Sequence, residues 1–250
     1  KGFIMKIFVL LLSFSVSILH AAGPKIVGGT VVSKDDEVAK MTVAVGVYDS
    51  AGYNILFCTG SILDEKTILT AAHCITGENR TILFTTNPSM TYDVPEELKR
   101  EVTGTKIHKY EPNIVGSWGR VNEEAQDIAT ITFSGGLPSG FKPIKYLSPD
   151  DLSRVLSTRP PVILAGVGRD ENGQTGILKK VTVDIVKVGK YNLWLGNETK
   201  TAEKGDSGGP AFVRLNGELY QIGVASRGSK KHSPYSNPVI YTQFSGLDNL

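Results

Sequence analysis

The sequence predicts an all-β protein. Six segments of four to six residues are rich in β-branched side chains and bounded by Gly, Pro, Asn or Asp, which is typical of strands. They span residues 43–48, 67–70, 128–133, 181–186, 220–225 and 239–242. The 27 glycines and 12 prolines supply turns between them. Many short strands with frequent turns predict a β-barrel or a β-sandwich.

Outside these strands, the sequence predicts one helix and one linker between two parts of the chain. Residues 149–156 follow Ser148, a good N-cap, and begin with acidic residues that favour a helix N-terminus. The glycine-rich stretch 134–140 lies near the middle of the 250 residues and is the best linker. A chain of this length can hold one large core or two small ones.

The first 22 residues are typical of a secretory signal peptide. Lys6 precedes the apolar run 7–19, and Ala21 and Ala22 offer small residues for cleavage. A run of 13 residues is short for a membrane span, which needs about 20. The alternative is a buried core helix or strand. We therefore expect a secreted protein, extracellular or periplasmic, that leaves the membrane once the signal is removed.

The charge balance narrows the choice of partners. The first 25 residues hold three lysines and no acid, so residues 26–250 carry 24 basic and 25 acidic side chains. No basic run remains that could form a nucleic-acid or membrane patch. We therefore expect no nucleic-acid partner. Apart from the charge, we expect the protein to be a monomer.

The chain has two cysteines, Cys58 and Cys74. Secretion favours a disulfide between them, and two free buried thiols are the alternative. Two cysteines cannot form a zinc site by themselves. Neither a metal nor an organic cofactor is expected.

Residues 205–210, with the sequence GDSGGP, contain the best candidate nucleophile, Ser207. Glycines beside a serine let the backbone bend and let a substrate approach, as a nucleophile with an oxyanion site requires. The alternative is an ordinary glycine-rich turn.

A serine nucleophile needs a base and a carboxylate that orients the base. His73 follows a predicted strand and precedes Cys74, whose disulfide would anchor its loop, although it could also be a structural histidine. Asp127 begins the predicted strand 128–133, where a buried acid is costly unless it is paired. A strand-capping aspartate is the alternative there. The three candidates support one another because they occur in the order His, Asp, Ser.

The sequence resembles the chymotrypsin/trypsin family of serine endopeptidases across nearly everything after residue 25. Four motifs match in order: IVGG at 26–29, TAAHC at 70–74, DIA at 127–129 and GDSGGP at 205–210. The resemblance implies two six-stranded antiparallel β-barrels with the active site in the cleft between them. The first barrel would span residues 26–134 and the second residues 135–250.

The resemblance also implies the roles of the residues. His73, Asp127 and Ser207 would form the catalytic triad, and the N–H groups of Gly205 and Ser207 the oxyanion hole. Residues 23–25 would be a short propeptide. Cleavage between Lys25 and Ile26 would free the Ile26 amine to pair with Asp206 and so activate a zymogen.

Specificity follows from the pocket positions of the family. Thr201 stands six residues before Ser207, where cleavage after Lys or Arg would require an acid. Ser226, Arg227 and Gly228 would line the pocket walls, and Val239 would shorten it. We expect small to medium apolar side chains before the scissile bond. A separate basic-specific protease would then have to cut after Lys25.

Some features depart from the family. Glu203 stands where a disulfide cysteine is usual, and a single bridge suits a bacterial member better than an animal one. The competing hypothesis is a catalytically inactive homologue that acts as a binding module.

Overall fold

The computed structural model describes residues 26, 28–48, 54–75, 80–88, 94–111, 114–115, 120–121, 125–169, 174–197, 199–228 and 239–243. The predicted signal peptide, the propeptide and Lys25 lie outside these residues. Within them, short strands dominate and one α-helix is present.

The strands are β1 (Thr30–Val31), β2 (Thr42–Tyr48), β3 (Asn54–Asp64), β4 (Thr67–Thr70), β5 (Arg80–Leu83), β6 (Lys99–Tyr110), β7 (Ile114–Val115), β8 (Arg120–Val121), β9 (Asp127–Phe133), β10 (Lys145–Tyr146), β11 (Val162–Gly166), β12 (Lys179–Val183), β13 (Ile185–Val188), β14 (Asn192–Leu195), β15 (Pro210–Leu215), β16 (Glu218–Gly228) and β17 (Val239–Gln243). Helix α1 spans Pro149–Ser157, and 3-10 turns span Ala72–Ile75 and Glu96–Leu98.

The first half of the chain forms a closed barrel. Its strands follow the order β2-β3-β4-β9-β6-β5, and every neighbouring pair is antiparallel. The interior is apolar: Phe84 packs edge-on against Phe133, with ring centres 5.6 Å apart, and against Phe141, with ring centres 5.0 Å apart. Phe141 follows the glycine-rich stretch 134–140, so the chain leaves the first barrel while still packed against its end.

The second half forms a sheet in the order β1-β12-β11-β15-β16-β17-β14-β13. Strands β12 and β13 stand at opposite ends of this sheet, apart from the added β1, yet only Asp184 separates them in the chain. The same stretch of backbone therefore supplies both ends, so the sheet curves back toward itself as a half-barrel, whose two ends do not pair with each other in the described residues. The predicted continuous strand 181–186 breaks at Asp184 because it has to turn from one end of the sheet to the other.

The prediction of an all-β protein with two barrels is confirmed. Two details differ from a pair of purely antiparallel six-stranded barrels. Strand β1 belongs to the N-terminal part of the chain but pairs with β12 of the second sheet. The short strand β10 pairs with β16 in parallel.

Helix α1 confirms the expected helix and its cap. The hydroxyl of Ser148 accepts the backbone N–H of Asp151 at 3.2 Å, as an N-cap does. Leu152 and Leu156 are the buried residues of the helix. No helix in the described part of the chain is long and apolar enough to cross a membrane.

The predicted disulfide is present. It joins Cys58 of β3 to Cys74 of the 3-10 turn after β4. The bridge closes a loop with a sequence separation of 16 and ties the turn to the wall of the first barrel.

Candidate active site

Asp127 is the first residue of β9, and its side chain is buried. Its Oδ2 lies 2.6 Å from Nδ1 of His73, and its Oδ1 accepts the backbone N–H of His73 at 3.0 Å. The hydroxyl of Ser226 also donates to Oδ2, at 2.8 Å. Burial alone would raise the pKa of Asp127, but the bonds and charge from His73 and the bond from Ser226 outweigh it and lower that pKa. Asp127 is therefore held as a carboxylate.

The bond to Asp127 fixes the tautomer of His73. An ionised carboxylate can only accept, so Nδ1 of His73 carries the hydrogen. In the neutral ring this leaves the lone pair on Nε2, as a general base requires. The side chain of His73 is 34% exposed, so the ring lies at the border of the protein and the solvent.

The turn that carries His73 is anchored on both sides. Cys74 is tied to β3 by the disulfide, and its carbonyl accepts the Nε–H of Arg80 at 2.9 Å. The Sγ of Cys74 also lies 3.6 Å from the carbonyl oxygen of Ser207. A disulfide sulfur has no hydrogen to donate, so this is a packing contact. It brings the His73 turn and the Ser207 loop together.

The loop around Ser207 requires glycine on both sides. Gly205 and Gly208 have φ values of +99° and +82°, which other residues rarely adopt. A Cβ on Gly208 would lie 2.0 Å from Oγ1 of Thr70 and 2.2 Å from the carbonyl oxygen of Thr59. The loop therefore lies directly against the first barrel, with Ser207 half-buried between the two glycines.

Asp206 points away from Ser207 into the second barrel. Its buried carboxylate accepts the N–H of Gly168 and the N–H of Glu203, both at 2.8 Å. Burial raises the pKa of Asp206 to about 6, although these N–H groups and the nearby cation Lys179 act in the other direction. Gly166 makes room for this carboxylate, because a Cβ there would lie 2.2 Å from Oδ1.

One set of potential metal ligands comes together in the described residues. Atoms of Cys58, His73 and Cys74 lie within 4.8 Å of one another. Both sulfurs belong to the disulfide, so neither is the thiolate that a zinc ion would bind. This group is therefore part of the anchor of His73.

The family model described as Trypsin matches residues 26–250, which is nearly the whole chain. The chain belongs to the trypsin family of serine proteases. It is a serine endopeptidase, and proteins or peptides are its substrates.

Curated relatives agree with this assignment. The bovine (Bos taurus) chymotrypsin-like elastase family member 1 is 25% identical over 240 residues, covering 88% of this chain and 86% of the relative. Trypsin-1 of Astacus astacus is 26% identical and covers 78% of this chain and 86% of its own length. The cercarial protease of Schistosoma mansoni is 28% identical, with coverages of 68% and 70%.

The residues predicted to form the specificity pocket of this trypsin-family chain differ in how far they are buried. Thr201 and Ser226 are buried, and Arg227 is half-buried. Gly228 is exposed, and an added Cβ would meet nothing within 4 Å, so the space beside it is open. Val239 is the first residue of β17, and its backbone pairs with that of Gly228 in β16. The side chain of Val239 lies outside the described part.

A bulge in β16 aims two neighbouring side chains at the first barrel. The register between β16 and β17 shifts between Ala225 and Arg227, and such bulges redirect side chains. Ser226 reaches Asp127, and Nη1 of Arg227 donates to the carbonyl of Ala125 at 3.2 Å. Sequence reasoning assigned both residues to the pocket wall and missed the bond from Ser226 to Asp127.

Sequence reasoning also missed three buried residues that hold the site. Thr242 and Asn192 bind the backbone on either side of Gln126, and Thr59 binds the loop around Ser207. The two partners of the Thr59 hydroxyl are more than 100 residues away in the chain. No local signal in the sequence could have revealed these contacts.

Proposed function

We propose that this endopeptidase is secreted as a zymogen and cleaves peptide bonds through an acyl-enzyme on Ser207. Asp127, His73 and Ser207 would act as the catalytic triad. The observation that carries the proposal is the arrangement of Asp127. Its carboxylate binds His73 twice and Ser226 once, which fixes the tautomer and orientation that a general base needs.

In this mechanism, Nε2 of His73 takes the proton from the Ser207 hydroxyl as Oγ attacks the carbonyl carbon of the substrate. Hydrogen bonds from the N–H groups of Gly205 and Ser207 would stabilise the negative charge that develops on the carbonyl oxygen. In the described part of the chain, neither N–H donates to a protein acceptor. The protonated His73 then gives its proton to the leaving amine. A water molecule next attacks the acyl-enzyme, with His73 again as the base, and the acid product is released from Ser207.

The test of this mechanism is covalent labelling with a fluorophosphonate, followed by mass spectrometry of the labelled peptide. We expect the label on Ser207 after cleavage at Lys25. The variants Ser207→Ala and His73→Ala should not react. An inactive homologue that acts as a binding module would leave the wild-type protein unlabelled as well, which would refute the proposal.

Activation by cleavage between Lys25 and Ile26 is supported by the burial of Ile26 and Asp206. Burial of this carboxylate is costly and the nearby Lys179 offsets that cost only in part, so the amine freed at Ile26 would supply a further cation. A form that retains residues 23–25 should therefore be nearly inactive. Equal turnover of the uncleaved and cleaved forms would contradict this. A separate protease that cleaves after basic residues would cut after Lys25. The activated enzyme would act as a monomer.

We propose a preference for small to medium apolar side chains before the scissile bond. Thr201 is buried and uncharged, so it offers no partner for the cation of a bound Lys or Arg. Cleavage of a peptide library by the activated enzyme tests this directly. Predominant cleavage after Lys or Arg would overturn the argument from Thr201.

A further inference from the structure

Thr59 is a fully buried residue of β3 that joins the first barrel to the loop around Ser207. Its backbone N–H donates to the carbonyl of Ser207 at 2.8 Å. Its hydroxyl donates to the carbonyl of Gly205 at 2.9 Å and accepts the N–H of Val167 at 3.1 Å. One residue of the first barrel thus makes hydrogen bonds to three backbone groups of the second half of the chain.

The contact requires a hydroxyl. The carbonyl of Gly205 needs a donor and the N–H of Val167 needs an acceptor, and the single Oγ1 of Thr59 serves both. A valine would fill the same volume and satisfy neither group. Thr59 is itself held within the first barrel, because its carbonyl accepts a hydrogen bond from the hydroxyl of Thr70 at 2.9 Å.

The loop needs such an anchor because its own backbone is permissive. Gly205, Gly208 and Gly209 follow one another closely, and glycine has more conformational freedom than any other residue. No disulfide fastens this loop, since the two cysteines of the chain pair with each other, at Cys58 and Cys74.

We propose that Thr59 is a positioning residue for the oxyanion hole. Gly205 and Ser207 are the residues whose N–H groups would receive the oxyanion, and Thr59 binds the carbonyl of each. Holding these carbonyls limits the rotation of both residues and keeps the two N–H groups directed at one point. This inference rests on the proposed function of Ser207.

The expected effect falls on the transition state. An oxyanion forms only after attack on the carbonyl, so a misdirected N–H should lower kcat and leave KM nearly unchanged. Removal of one oxyanion donor costs about 10²–10³ in kcat. Loss of the Thr59 hydroxyl displaces donors without deleting them, so we expect Thr59→Val to lose about 10- to 100-fold in kcat.

The test compares three matched variants of the activated full-length mature enzyme. Thr59→Val removes the hydroxyl, and Thr59→Ser keeps it. Thr42→Val makes the same chemical change at a buried threonine whose hydroxyl has no hydrogen-bond partner in the described residues. We expect the kcat loss in Thr59→Val alone. A peptide aldehyde, which forms a tetrahedral adduct with Ser207, should bind Thr59→Val more weakly by a similar factor, while the product peptide binds unchanged.

Several outcomes would overturn the role of Thr59. Thr59→Val could match Thr42→Val in kcat, or Thr59→Ser could lose as much as Thr59→Val, which would show that keeping the hydroxyl does not preserve the oxyanion hole. If Thr59→Val does not fold, Thr59→Ala replaces it in the same comparison, with the same expected loss. A wild-type enzyme that neither turns over peptides nor reacts with a fluorophosphonate would refute the proposed function instead.

Discussion

Replacing Thr242 by valine tests how the second barrel holds the aspartate of the first. Thr242 is buried in β17, and its hydroxyl accepts the backbone N–H of Asp127 at 3.2 Å. The same hydroxyl donates to Oδ1 of Asn192 at 3.4 Å, and Nδ2 of Asn192 donates to the carbonyl of Ala125 at 2.9 Å. Asn192 and Thr242 are direct cross-strand partners of β14 and β17. Together they bind the segment 125–127 as a neighbouring strand would.

The magnitude follows from the groups that lose a partner. Valine has the shape of threonine but no hydroxyl, so Thr242→Val leaves no cavity. It leaves the buried N–H of Asp127 without its acceptor, which costs about 1–3 kcal/mol of the free energy of unfolding. The two bonds from Asp127 to His73 remain, so the carboxylate should shift by only a fraction of an ångström. We expect a loss of about tenfold in kcat, because misplacement by 1 Å costs about 10².

The assay combines urea unfolding with steady-state turnover by the activated enzyme. Thr42→Val is again the control, because its hydroxyl has no partner to lose within the described residues. Thr242→Ser keeps the hydroxyl and should retain most of the stability and kcat. Equal unfolding midpoints and equal kcat for Thr242→Val and Thr42→Val would refute the reasoning.

Three further predictions address the charges and the crosslink. Asp127→Asn should lower kcat by about 10⁴, as the equivalent substitution does in a serine protease of this family, because an amide beside His73 favours the wrong tautomer. A kcat near that of the wild type would contradict this prediction. The pKa of Asp206 is raised from 3.8 to about 6, so its carboxyl binds protons more tightly in the folded state. The uncleaved form should lose about 3 kcal/mol of unfolding free energy as the pH rises from about 4 through about 6. Urea unfolding across this range should show no such loss in Asp206→Asn, and parallel curves would refute the assignment. Replacing Cys58 and Cys74 together by alanine should cost about 3 kcal/mol by the chain-entropy model, since the disulfide closes a 16-residue separation. Thermal and urea unfolding measure this loss, and an unchanged midpoint would contradict it.

The strands that could be predicted from the sequence are those with dense β-branched runs. Strand β4 begins and ends at the predicted residues, and β9 begins one residue earlier, at Asp127. Strand β6 was missed although it is 12 residues long, because it is largely polar and its residues are half-buried or exposed. Hydrogen bonds to β5 and β9 hold it in the barrel, and these depend on neighbours distant in sequence.

Four motifs in the sequence were enough to identify the family, and the resemblance implied the two-barrel fold. The local strand patterns predicted only an all-β barrel or sandwich, and two cysteines in a secreted chain favoured the disulfide. The tertiary structure decided how the site is held. Ser226 binds Asp127, and Thr59 binds Gly205 across 146 residues of chain. The burial that raises the pKa of Asp206 likewise comes from the packing of the second barrel. Such contacts follow from the three-dimensional path of the backbone, and a single sequence has no local pattern that records them.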